Sequence, residues 1–387
     1  MSDRLRVLAV DQGPGIWGAQ AYLLGLRPLL AHRSIDVVLG APAALAQSVE
    51  WRRRRLPTVP IDLPTSRSVR GRHGPSTRRI YSEMRASRRS VLALRDAVKS
   101  GDFDLVLANA HWTHLDVAVA GRLVGIPVML LLHEVTEFGL GAAQRGAAIR
   151  IATRAVAVSS GVASAVPPWA RRRVSVIPNA VDTEVFAPGT AADLRRALTE
   201  SFGVPHDHSL ILAATRLDPD KRIEDLVALS TRLKCATVLV AGAPSDSDSY
   251  SSRLIHDALE RSAPIKFLGA RDDVPRLMRA VDVFVHCGVR EGMSLGLIEA
   301  QASGLPAVVY RTSGVDEVLR EGTSGYAVDP GDLVGLAAAV QRLADDPSLR
   351  SAFGAVARQE MTRAHSLSDQ ADRLAALMYS AAGRHET

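Results

Sequence analysis

The stretch VDVFVHCGVREGMSLGLIEAQASGLPAVV, residues 281–309, holds one complete unit of strand, loop, helix and strand. The apolar run 283–286 has the length of a buried strand, the pattern after Ser294 is helical, and 307–310 is a second apolar run. A helix that joins two such strands makes a right-handed connection between parallel neighbours. This stretch therefore predicts a parallel sheet that is covered by helices.

The same alternation continues outward in both directions. Further apolar runs of strand length lie at 5–10, 37–39, 105–108, 128–132, 155–158 and 174–177, and again at 210–214, 237–241, 265–268 and 326–328. Two such series predict an α/β protein of two doubly wound Rossmann-like domains that face a central cleft. We assign the domains to 1–183 and 206–365, a linker to 184–205, and a C-terminal helix that returns to the first domain to 366–387.

The composition limits the class of protein. Of the 387 residues, 47% are hydrophobic and 23% are charged, so the chain is neither disordered nor a miniature disulfide-held scaffold. Cys235 and Cys287 match no zinc or disulfide spacing, and no apolar run has the length of a secretory or membrane-spanning segment, which predicts a cytoplasmic protein. Residues 51–89 hold twelve arginines against Asp62 and Glu83. That basic segment predicts a local anionic partner rather than a nucleic acid.

The loop and the helix start within 281–309 have the features of a diphosphate site. Four residues leave their backbone N–H groups free where the helix opens: Gly292, Met293, Ser294 and Leu295. Glu299 lies about 7.5 Å along the helix from Ser294, which suits a ribose beside the diphosphate because a carboxylate accepts hydrogen bonds from two hydroxyls. Glu291 is then left for a third group. Taken singly, each glutamate is an ordinary surface or helical carboxylate, and the joint context favours the ligand site.

Two cations precede this unit in the chain. In AATRLDPDKRIEDLV, residues 213–227, Arg216 stands just past a strand and Lys221 follows five residues later, ahead of a helix. Cations at the carboxyl end of a strand neutralise a diphosphate leaving group. Both side chains are also common in exposed loops, and their place beside the predicted phosphate helix favours the functional interpretation.

Several ordered motifs give the chain a family resemblance. The glutamates of EGMSLGLIE, the segment RLDPDK, the sequence IPNAVDTEVFAPG at 177–189 and the block FLGARDDVPRLMRAVDVFVH at 267–286 resemble those of retaining nucleotide-sugar glycosyltransferases of the GT-B fold, family four. The resemblance covers the second domain and the linker, and more loosely the first domain. It implies a GT-B enzyme that transfers a sugar from a nucleoside diphosphate sugar.

The resemblance also implies roles by position. The residues that it assigns to the donor are Gly18, Arg216, Lys221, Gly269, Arg271, Glu291, Gly292, Met293, Ser294, Leu295 and Glu299. Those that it assigns to catalysis are His111, Glu291, Arg216 and Lys221. Within these sets Glu299 would hold the ribose and Glu291 the sugar hydroxyls. Gly269 and Arg271 would flank the base.

In the first domain the implied roles leave alternatives open. His111 of NAHWTH would lie near the reacting sugar carbon, or is a hydrogen-bonded structural histidine. His133 and Glu134 of LLHE would take an acceptor or secondary role, or brace a loop. The glycine-rich DQGPGIWGAQ, residues 11–20, brings amides to a ligand or is a plain tight turn. Gly18 is followed by Ala19 where the family usually has a second glycine, which leaves the contacts of that loop open.

No spacing of histidine, cysteine or carboxylate residues resembles a metal site. Asp246 and Asp248 have the spacing of an Asp-x-Asp motif but stand in a serine-rich loop. We therefore expect no metal and no other cofactor, with the nucleoside diphosphate sugar as a co-substrate.

The expected function is retaining transfer of a hexose from a UDP- or GDP-sugar to a hydroxyl acceptor, in a glycan, a lipid-linked acceptor or a small molecule. The resemblance implies front-face attack, with the leaving phosphate assisting deprotonation of the acceptor. Two alternatives stay open. A nucleotide-sugar epimerase or hydrolase of the same fold would turn over the donor without an acceptor, and a non-catalytic protein would bind the sugar nucleotide without turnover.

The basic segment continues into a predicted amphipathic helix at 78–98. Its apolar positions recur at helical spacing: Ile80, Met84, Val91, Leu94 and Val98. Such a helix can lie on an anionic membrane, which would give peripheral contact through residues 51–98 on the inner membrane face. Alternatively, the apolar stripe packs on the first domain's own sheet, and the arginines face water or an acidic acceptor.

Overall fold

The computed structural model describes residues 4–13, 18–46, 57–64, 77–135, 139–244 and 248–385. The chain forms two compact units, one of Met1–Pro178 with Leu367–Thr387 and one of Asn179–Ser366. Each unit is built on its own parallel β-sheet. The chain therefore has the two doubly wound α/β domains that the sequence predicts.

The sheet of the first unit has seven parallel strands. They are β1 (Leu5–Val10), β2 (Ile35–Ala41), β3 (Thr58–Pro60), β4 (Leu105–Ala108), β5 (Val128–Leu132), β6 (Arg154–Ala157) and β7 (Val174–Val176). Their order in the sheet is β3-β2-β1-β4-β5-β6-β7. The central strands β4 and β5 are buried along their whole length, as expected of aliphatic strands that are covered on both faces.

Helices connect these strands. They are α1 (Gly18–His32), α2 (Ala43–Ala46), α3 (Thr77–Ser100), α4 (His114–Val124), α5 (Leu140–Ile151), α6 (Ser160–Ser164) and α7 (Pro168–Arg171), with a 3-10 turn at His111–Thr113.

The second unit repeats the architecture with six parallel strands. They are β8 (Ser209–Ala214), β9 (Ala236–Ala241), β10 (Ile265–Gly269), β11 (Val283–His286), β12 (Ala307–Tyr310) and β13 (Gly325–Val328), in the order β10-β9-β8-β11-β12-β13. The helices are α8 (Ala192–Phe202), α9 (Ile223–Ser230), α10 (Asp248–Glu260), α11 (Val274–Ala280), α12 (Leu295–Ala302), α13 (Val315–Val318), α14 (Leu333–Asp345) and α15 (Pro347–Ala364). A 3-10 turn at Pro219–Lys221 precedes α9.

A C-terminal helix, α16 (Leu367–Ala382), belongs to the first unit. Its inner face is buried at Leu374 and Met378. Arg33 at the end of α1 pairs with Asp372 at 2.5 Å, and the Tyr379 hydroxyl donates to the Arg33 carbonyl at 2.9 Å. The predicted return of the C-terminal helix to the first domain is confirmed.

The strands that were predicted from apolar runs are all present, with ends that shift by at most two residues. Strand β3 was not predicted. It lies at the edge of the sheet and pairs only with β2, a position that tolerates its proline. The rest of the basic segment, 51–56 and 65–76, lies outside the described residues.

The segment 184–205 differs from the linker that the sequence predicts. It is part of the second unit, which begins at Asn179, and it contains α8. Leu198 is buried, and Arg195 donates to Asp282 at 2.9 Å, which ties the helix to the second sheet. The prolines and glycines that flank α8 dominate the sequence pattern there and hide an ordinary amphipathic helix.

Helix α3 divides the predicted apolar stripe into two parts. Leu94 and Val98 are buried in the first unit, Val91 is half-buried, and Met84 is 66% exposed. Tyr81, which is not part of the predicted stripe, is 64% exposed. The side chain of Ile80 lies outside the described part of the chain. Within the described ranges, no helix combines the length and the hydropathy that crossing a bilayer requires.

Candidate functional site

Each sheet has a topological switch point, where the loops after two adjacent strands lead in opposite directions. The first switch point lies between β1 and β4, which Asp11 and Asn109 follow directly. The second switch point lies between β8 and β11. Arg216 and Lys221 follow β8, and Glu291 follows β11. Ligands of open α/β sheets bind at such points, so the predicted catalytic residues of the second unit stand where a ligand is expected.

Lys221 and Glu291 form an ion pair at the second switch point. Lys221 Nζ donates to Glu291 Oε1, and both side chains are only 14% exposed. Nε2 of the buried His286 lies 2.9 Å from the same oxygen. Burial acts to raise the pKa of Glu291, but the charge of Lys221 and the hydrogen bonds from His286 and Lys221 outweigh it and hold that pKa far below its usual range. The Glu291 carboxylate is therefore ionised at physiological pH.

A fixed turn carries the Lys221 ammonium group. The backbone N–H of Val289 donates to the Asp220 carbonyl at 3.0 Å, which ties the loop after β11 to this turn. Arg222 follows in the left-handed conformation, with φ of 51°, which is uncommon for a residue other than glycine. Its guanidinium holds Asp225 with two hydrogen bonds of 2.9 and 3.0 Å. These contacts fix the backbone from which the Lys221 side chain extends.

The two predicted donor arginines each pair with an aspartate two residues further on. Arg216 Nη1 lies 2.8 Å from Asp218 Oδ2, and Arg271 makes two hydrogen bonds to Asp273 at 2.8 and 2.6 Å. Gly269 ends β10 with φ of 69°, a conformation that glycine adopts without steric cost. Because β10 is the edge strand, Gly269 and Arg271 lie along the carboxyl edge of the sheet but apart from the ion pair.

The N-terminus of α12 lies at the second switch point, after β11. The residues predicted at this helix start are there: Gly292, Met293 and Ser294 precede the helix, and Leu295 begins it. Ser294 is the N-cap. A Cβ on Gly296 would lie 3.3 Å from the Ala214 carbonyl oxygen, so the first turn packs against the end of β8. Asn179 Nδ2 donates to the Met293 carbonyl at 3.0 Å and supports the approach to the helix.

Glu299 stands one turn into α12. Burial raises its pKa to about 8, and no charged or hydrogen-bonding group of the described residues contributes to that shift. The side chain is nevertheless partly exposed, so a ligand can reach it. A carboxyl group that has no partner among the described residues, beside the N-terminus of a helix, is suited to hydroxyl donors of a ligand.

The first switch point holds a buried carboxylate that amide groups saturate. Asp11 accepts hydrogen bonds from Gln20 Nε2 at 2.8 and 3.0 Å, from Asn109 Nδ2 at 2.6 Å and from the Gly13 backbone at 2.7 Å. Asn109 Oδ1 in turn lies 3.0 Å from His133 Nε2. Burial lowers the pKa of His133 to about 4, so the ring is neutral. This chain of hydrogen bonds fixes the loops after β1, β4 and β5.

His111 and Glu134, which belong to different sequence motifs, form a pair. His111 Nδ1 lies 3.0 Å from Glu134 Oε1. The His111 ring stands edge-on to Trp112, with centroids 5.2 Å apart. Because Nδ1 is engaged, Nε2 is the nitrogen that can serve a ligand. Gly18, the remaining predicted donor residue, begins α1, and the loop at 14–17 before it lies outside the described residues.

Sequence analysis missed four residues that organise these sites: Asp11, Asn109, Asn179 and His286. Asp11 and Asn109 are the first residues after β1 and β4, and a polar residue directly after a strand at a switch point is a signal that finds them. His286 is the last residue of β11, and the apolar run that predicts this strand gives no signal for its role. Asn179 stands inside the motif at 177–189.

The last feature of the site concerns groups of side chains that could hold a metal ion. Among the residues that the structure describes, no group of three or more histidine, cysteine or carboxylate side chains could hold a metal ion. Asp246 and the side chain of Asp248, which have the spacing of an Asp-x-Asp motif, lie outside those residues.

Comparison with protein families identifies both units. Residues 195–360 match the model of the glycosyl transferases group 1, and residues 16–185 match that of Glycosyltransferase Family 4. Together the two matches cover more than half of the chain. The chain belongs to these glycosyltransferase families. The match at 195–360 contains Lys221 and Glu291 at the second switch point. The match at 16–185 contains His111 and Glu134.

Curated relatives of this glycosyltransferase match it over part of their length. It is 29% identical to the putative glycosyltransferase EpsF of Bacillus subtilis over 239 residues, which is 56% of this chain and 60% of EpsF. It is 25% identical to the UDP-Gal:alpha-D-GlcNAc-diphosphoundecaprenol alpha-1,3-galactosyltransferase of Escherichia coli over 287 residues, 67% of this chain and 71% of that enzyme. The match thus spans less than two thirds of EpsF.

Solved structures establish the fold of this glycosyltransferase. The crystal structure of HepE from Anabaena, in complex with UDP and glucose, superposes with a TM-score of 0.81 at 20% identity. The superposition covers 97% of this chain and 100% of HepE. The chain therefore has the GT-B fold.

Proposed function

We propose that the chain is a retaining hexosyltransferase that moves a sugar from a UDP-sugar to a hydroxyl acceptor. The observation that carries this proposal is the contact of Lys221 with Glu291 beside the N-terminus of α12. Together they supply a cation, a fixed carboxylate and free helix amides, which is the combination that a diphosphate joined to a sugar requires. Because these groups can neutralise the diphosphate, we propose that the reaction needs no metal ion.

In the proposed reaction the bond between the anomeric carbon and the β-phosphate oxygen breaks, and the acceptor oxygen bonds to the same carbon on the same face. UDP leaves with the bonding electron pair, and the acceptor proton passes to a phosphate oxygen. Lys221, Arg216 and the amides of α12 stabilise the charge that grows on the diphosphate, and they lower the barrier because the turn that carries Lys221 and the start of α12 are already in place. Glu291 holds the sugar hydroxyls and Glu299 the ribose.

The first unit contributes His111 in this proposal. Glu134 engages His111 Nδ1, which leaves Nε2 for a hydrogen bond to the sugar near the reacting carbon. His133 supports the same loop through Asn109. Gly18, Gly269 and Arg271 are assigned to the donor on the family resemblance.

The names of the relatives support the choice of UDP as the nucleotide of the donor and the choice of acceptor. HepE binds UDP and glucose in its crystal structure, and the E. coli relative is named for a UDP-galactose donor and a diphosphoundecaprenol acceptor. We therefore propose a UDP-hexose as the donor and a lipid-linked hydroxyl as the acceptor.

A thermal-shift panel of UDP-, GDP-, ADP- and TDP-sugars tests the donor, because a ligand that binds only the native state raises the Tm. We expect a UDP-hexose to raise the Tm most, equally with and without EDTA. Proton NMR of the product then reads the anomeric configuration. A product of inverted configuration, or donor turnover at a rate that no acceptor increases, contradicts the proposal.

The two glutamates are expected to separate in binding experiments. Glu299→Ala should weaken UDP itself about tenfold, the effect of about 1.4 kcal/mol of lost hydrogen bonding, whereas Glu291→Ala should spare UDP and weaken only the UDP-sugar. Titration calorimetry with both ligands measures this, with the exposed Glu200→Ala as a control. Equal losses of UDP affinity in the Glu299 and Glu291 variants would show that the division of roles is wrong.

We also propose that α3 rests on an anionic membrane surface. Tyr81, Met84, Arg85 and Arg88 share one exposed face at helical spacing, so apolar and cationic groups point the same way. A groove of about 630 Å³ beside them is lined by Arg85, Arg88 and Arg89, and also by Asp62, which pairs with Arg89. Cationic groups interleaved with exposed apolar side chains match an anionic lipid surface at the inner membrane face.

Cosedimentation with vesicles tests the membrane contact. We expect binding to phosphatidylcholine vesicles that contain phosphatidylglycerol, no binding to phosphatidylcholine alone, and weaker binding as salt rises. The double variant Arg85→Glu with Arg88→Glu should lose it. Arg122→Glu with Arg154→Glu changes the same charge elsewhere on the first unit and should retain it. Equal behaviour of the two double variants contradicts a role for α3.

A further inference from the structure

The two oxygens of the Glu291 carboxylate are in different situations. Oε1 accepts from Lys221 Nζ and from His286 Nε2. Among the described residues, no donor contacts Oε2. One oxygen is therefore held by two protein groups, and the other keeps its hydrogen-bonding capacity for a ligand.

The two groups that hold Oε1 differ in stiffness. Lys221 ends in an ammonium on a flexible four-carbon stem, which can turn toward another anion. His286 is a ring at the end of β11 that is buried and lies nearly parallel to the Phe284 ring, with centroids 6.5 Å apart and planes at 15°. Because Glu291 is ionised, the proton of this hydrogen bond belongs to His286 Nε2.

Gly288 makes room for this hydrogen bond. A Cβ on Gly288 would lie 2.5 Å from His286 Nε2 and 2.9 Å from Glu291 Oε1, too close for both atoms to stay in place. The atoms that would move are the ends of two side chains rather than backbone, and the backbone at Gly288 does not have a positive φ. An alanine at this position should therefore disturb the contact itself more than the fold.

We propose that His286 is a positioning residue that fixes the direction of the Glu291 carboxylate, with Gly288 leaving it space, so that Oε2 meets a hydroxyl of the donor sugar. This inference rests on the proposed function. When a diphosphate draws the ammonium of Lys221 away, His286 remains as the group that keeps Oε1 in place. The orientation of the sugar-binding carboxylate then does not depend on whether Lys221 is engaged with phosphate.

Three variants test the proposal: His286→Leu, which removes the donor, His286→Gln, which offers an amide N–H instead, and Gly288→Ala, which displaces the ring. The dissociation constants of UDP and of the UDP-hexose that the donor panel identifies are measured by calorimetry. We expect His286→Leu and Gly288→Ala to weaken the UDP-hexose about tenfold, as for one charge-assisted hydrogen bond, and to leave UDP unchanged. His286→Gln should recover part of the loss.

A purely structural role gives a different result. Equal losses for UDP and UDP-hexose, or no loss for the UDP-hexose in Gly288→Ala, overturn the proposal. If His286→Leu does not fold, Gly288→Ala and His286→Gln carry the same comparison. A wild-type chain that binds no nucleoside diphosphate sugar overturns the proposed function instead, and that outcome is visible before any variant is compared.

Discussion

The two switch points have the same topology and opposite chemistry. At the first, Asp11 is buried and receives hydrogen bonds from three groups, so its carboxylate has no capacity left for a ligand. At the second, Glu291 has one oxygen bound and one without a donor among the described residues, and its main partner Lys221 is a flexible cation. The comparison teaches that the hydrogen-bonding state of a carboxylate at a strand end, and not its place in the fold, separates a structural group from one that is ready for a ligand.

Replacement of the cation at the second switch point should have the largest effect. In the proposed reaction Lys221 stabilises the departing diphosphate, so Lys221→Ala should lower the turnover number about a hundredfold, on the order of 3 kcal/mol in the barrier. The turnover number with a saturating UDP-hexose measures this. Lys234→Ala, at an exposed lysine of the same unit, is the matched control. A near wild-type rate for Lys221→Ala would remove this residue from the catalytic machinery.

Replacement of the buried carboxylate at the first switch point should affect stability instead. Asp11→Ala removes the oxygens that accept from Gln20 and Asn109, and leaves Asn109 Nδ2 with the longer contact to the Ala19 carbonyl at 3.2 Å, at a cost of roughly 3 kcal/mol in the free energy of unfolding. We expect the Tm to fall by several degrees while the affinity for UDP stays the same. Scanning calorimetry and UDP titration check both, with the exposed Asp96→Ala as control. An unchanged Tm would mean that the saturated carboxylate does not support the first unit.

A more specific effect is expected from pH, with opposite signs in the two units. Burial lowers the pKa of His133 from the reference value of 6.5 to about 4 in the native state. Between these pH values the unfolded chain binds a proton at His133 that the native state does not bind. His133 therefore lowers stability as the pH falls from 6.5 to 4. Burial raises the pKa of Glu299 from the reference value of 4.5 to about 8 in the native state. Between these pH values the native state keeps a proton at Glu299 that the unfolded chain loses. Glu299 therefore lowers stability as the pH rises from 4.5 to 8.

The Tm measured against pH for the wild type, His133→Gln and Glu299→Gln separates these contributions. Relative to the wild type, Glu299→Gln should gain stability toward pH 8, and His133→Gln should gain it toward pH 4. Three curves that run parallel from pH 4 to pH 8 would mean that neither group is as buried in solution as these pKa shifts require.

Much of the fold was predictable because short aliphatic runs are reliable evidence of buried parallel strands. Strand β3 was not, since an edge strand of three residues carries no such run. The predicted site residues Lys221 and Glu291 came from motif and strand position, and the structure brings them into contact. The hydrogen bond between Asp11 and Asn109 joins residues 98 positions apart, and no local pattern encodes such a partnership. The role of His286 likewise depends on where its ring points.

The placement of α16 has a consequence for the order in which the protein is made. The chain leaves the first unit at Pro178 and returns to it at Leu367. Arg33 meets its partner Asp372 only after 339 further residues have been synthesised. The second unit is continuous in the chain, and all of its strands leave the ribosome before α16 does. A nascent chain therefore completes the second unit first, while the surface of α1 that α16 covers stays exposed until α16 has been synthesised.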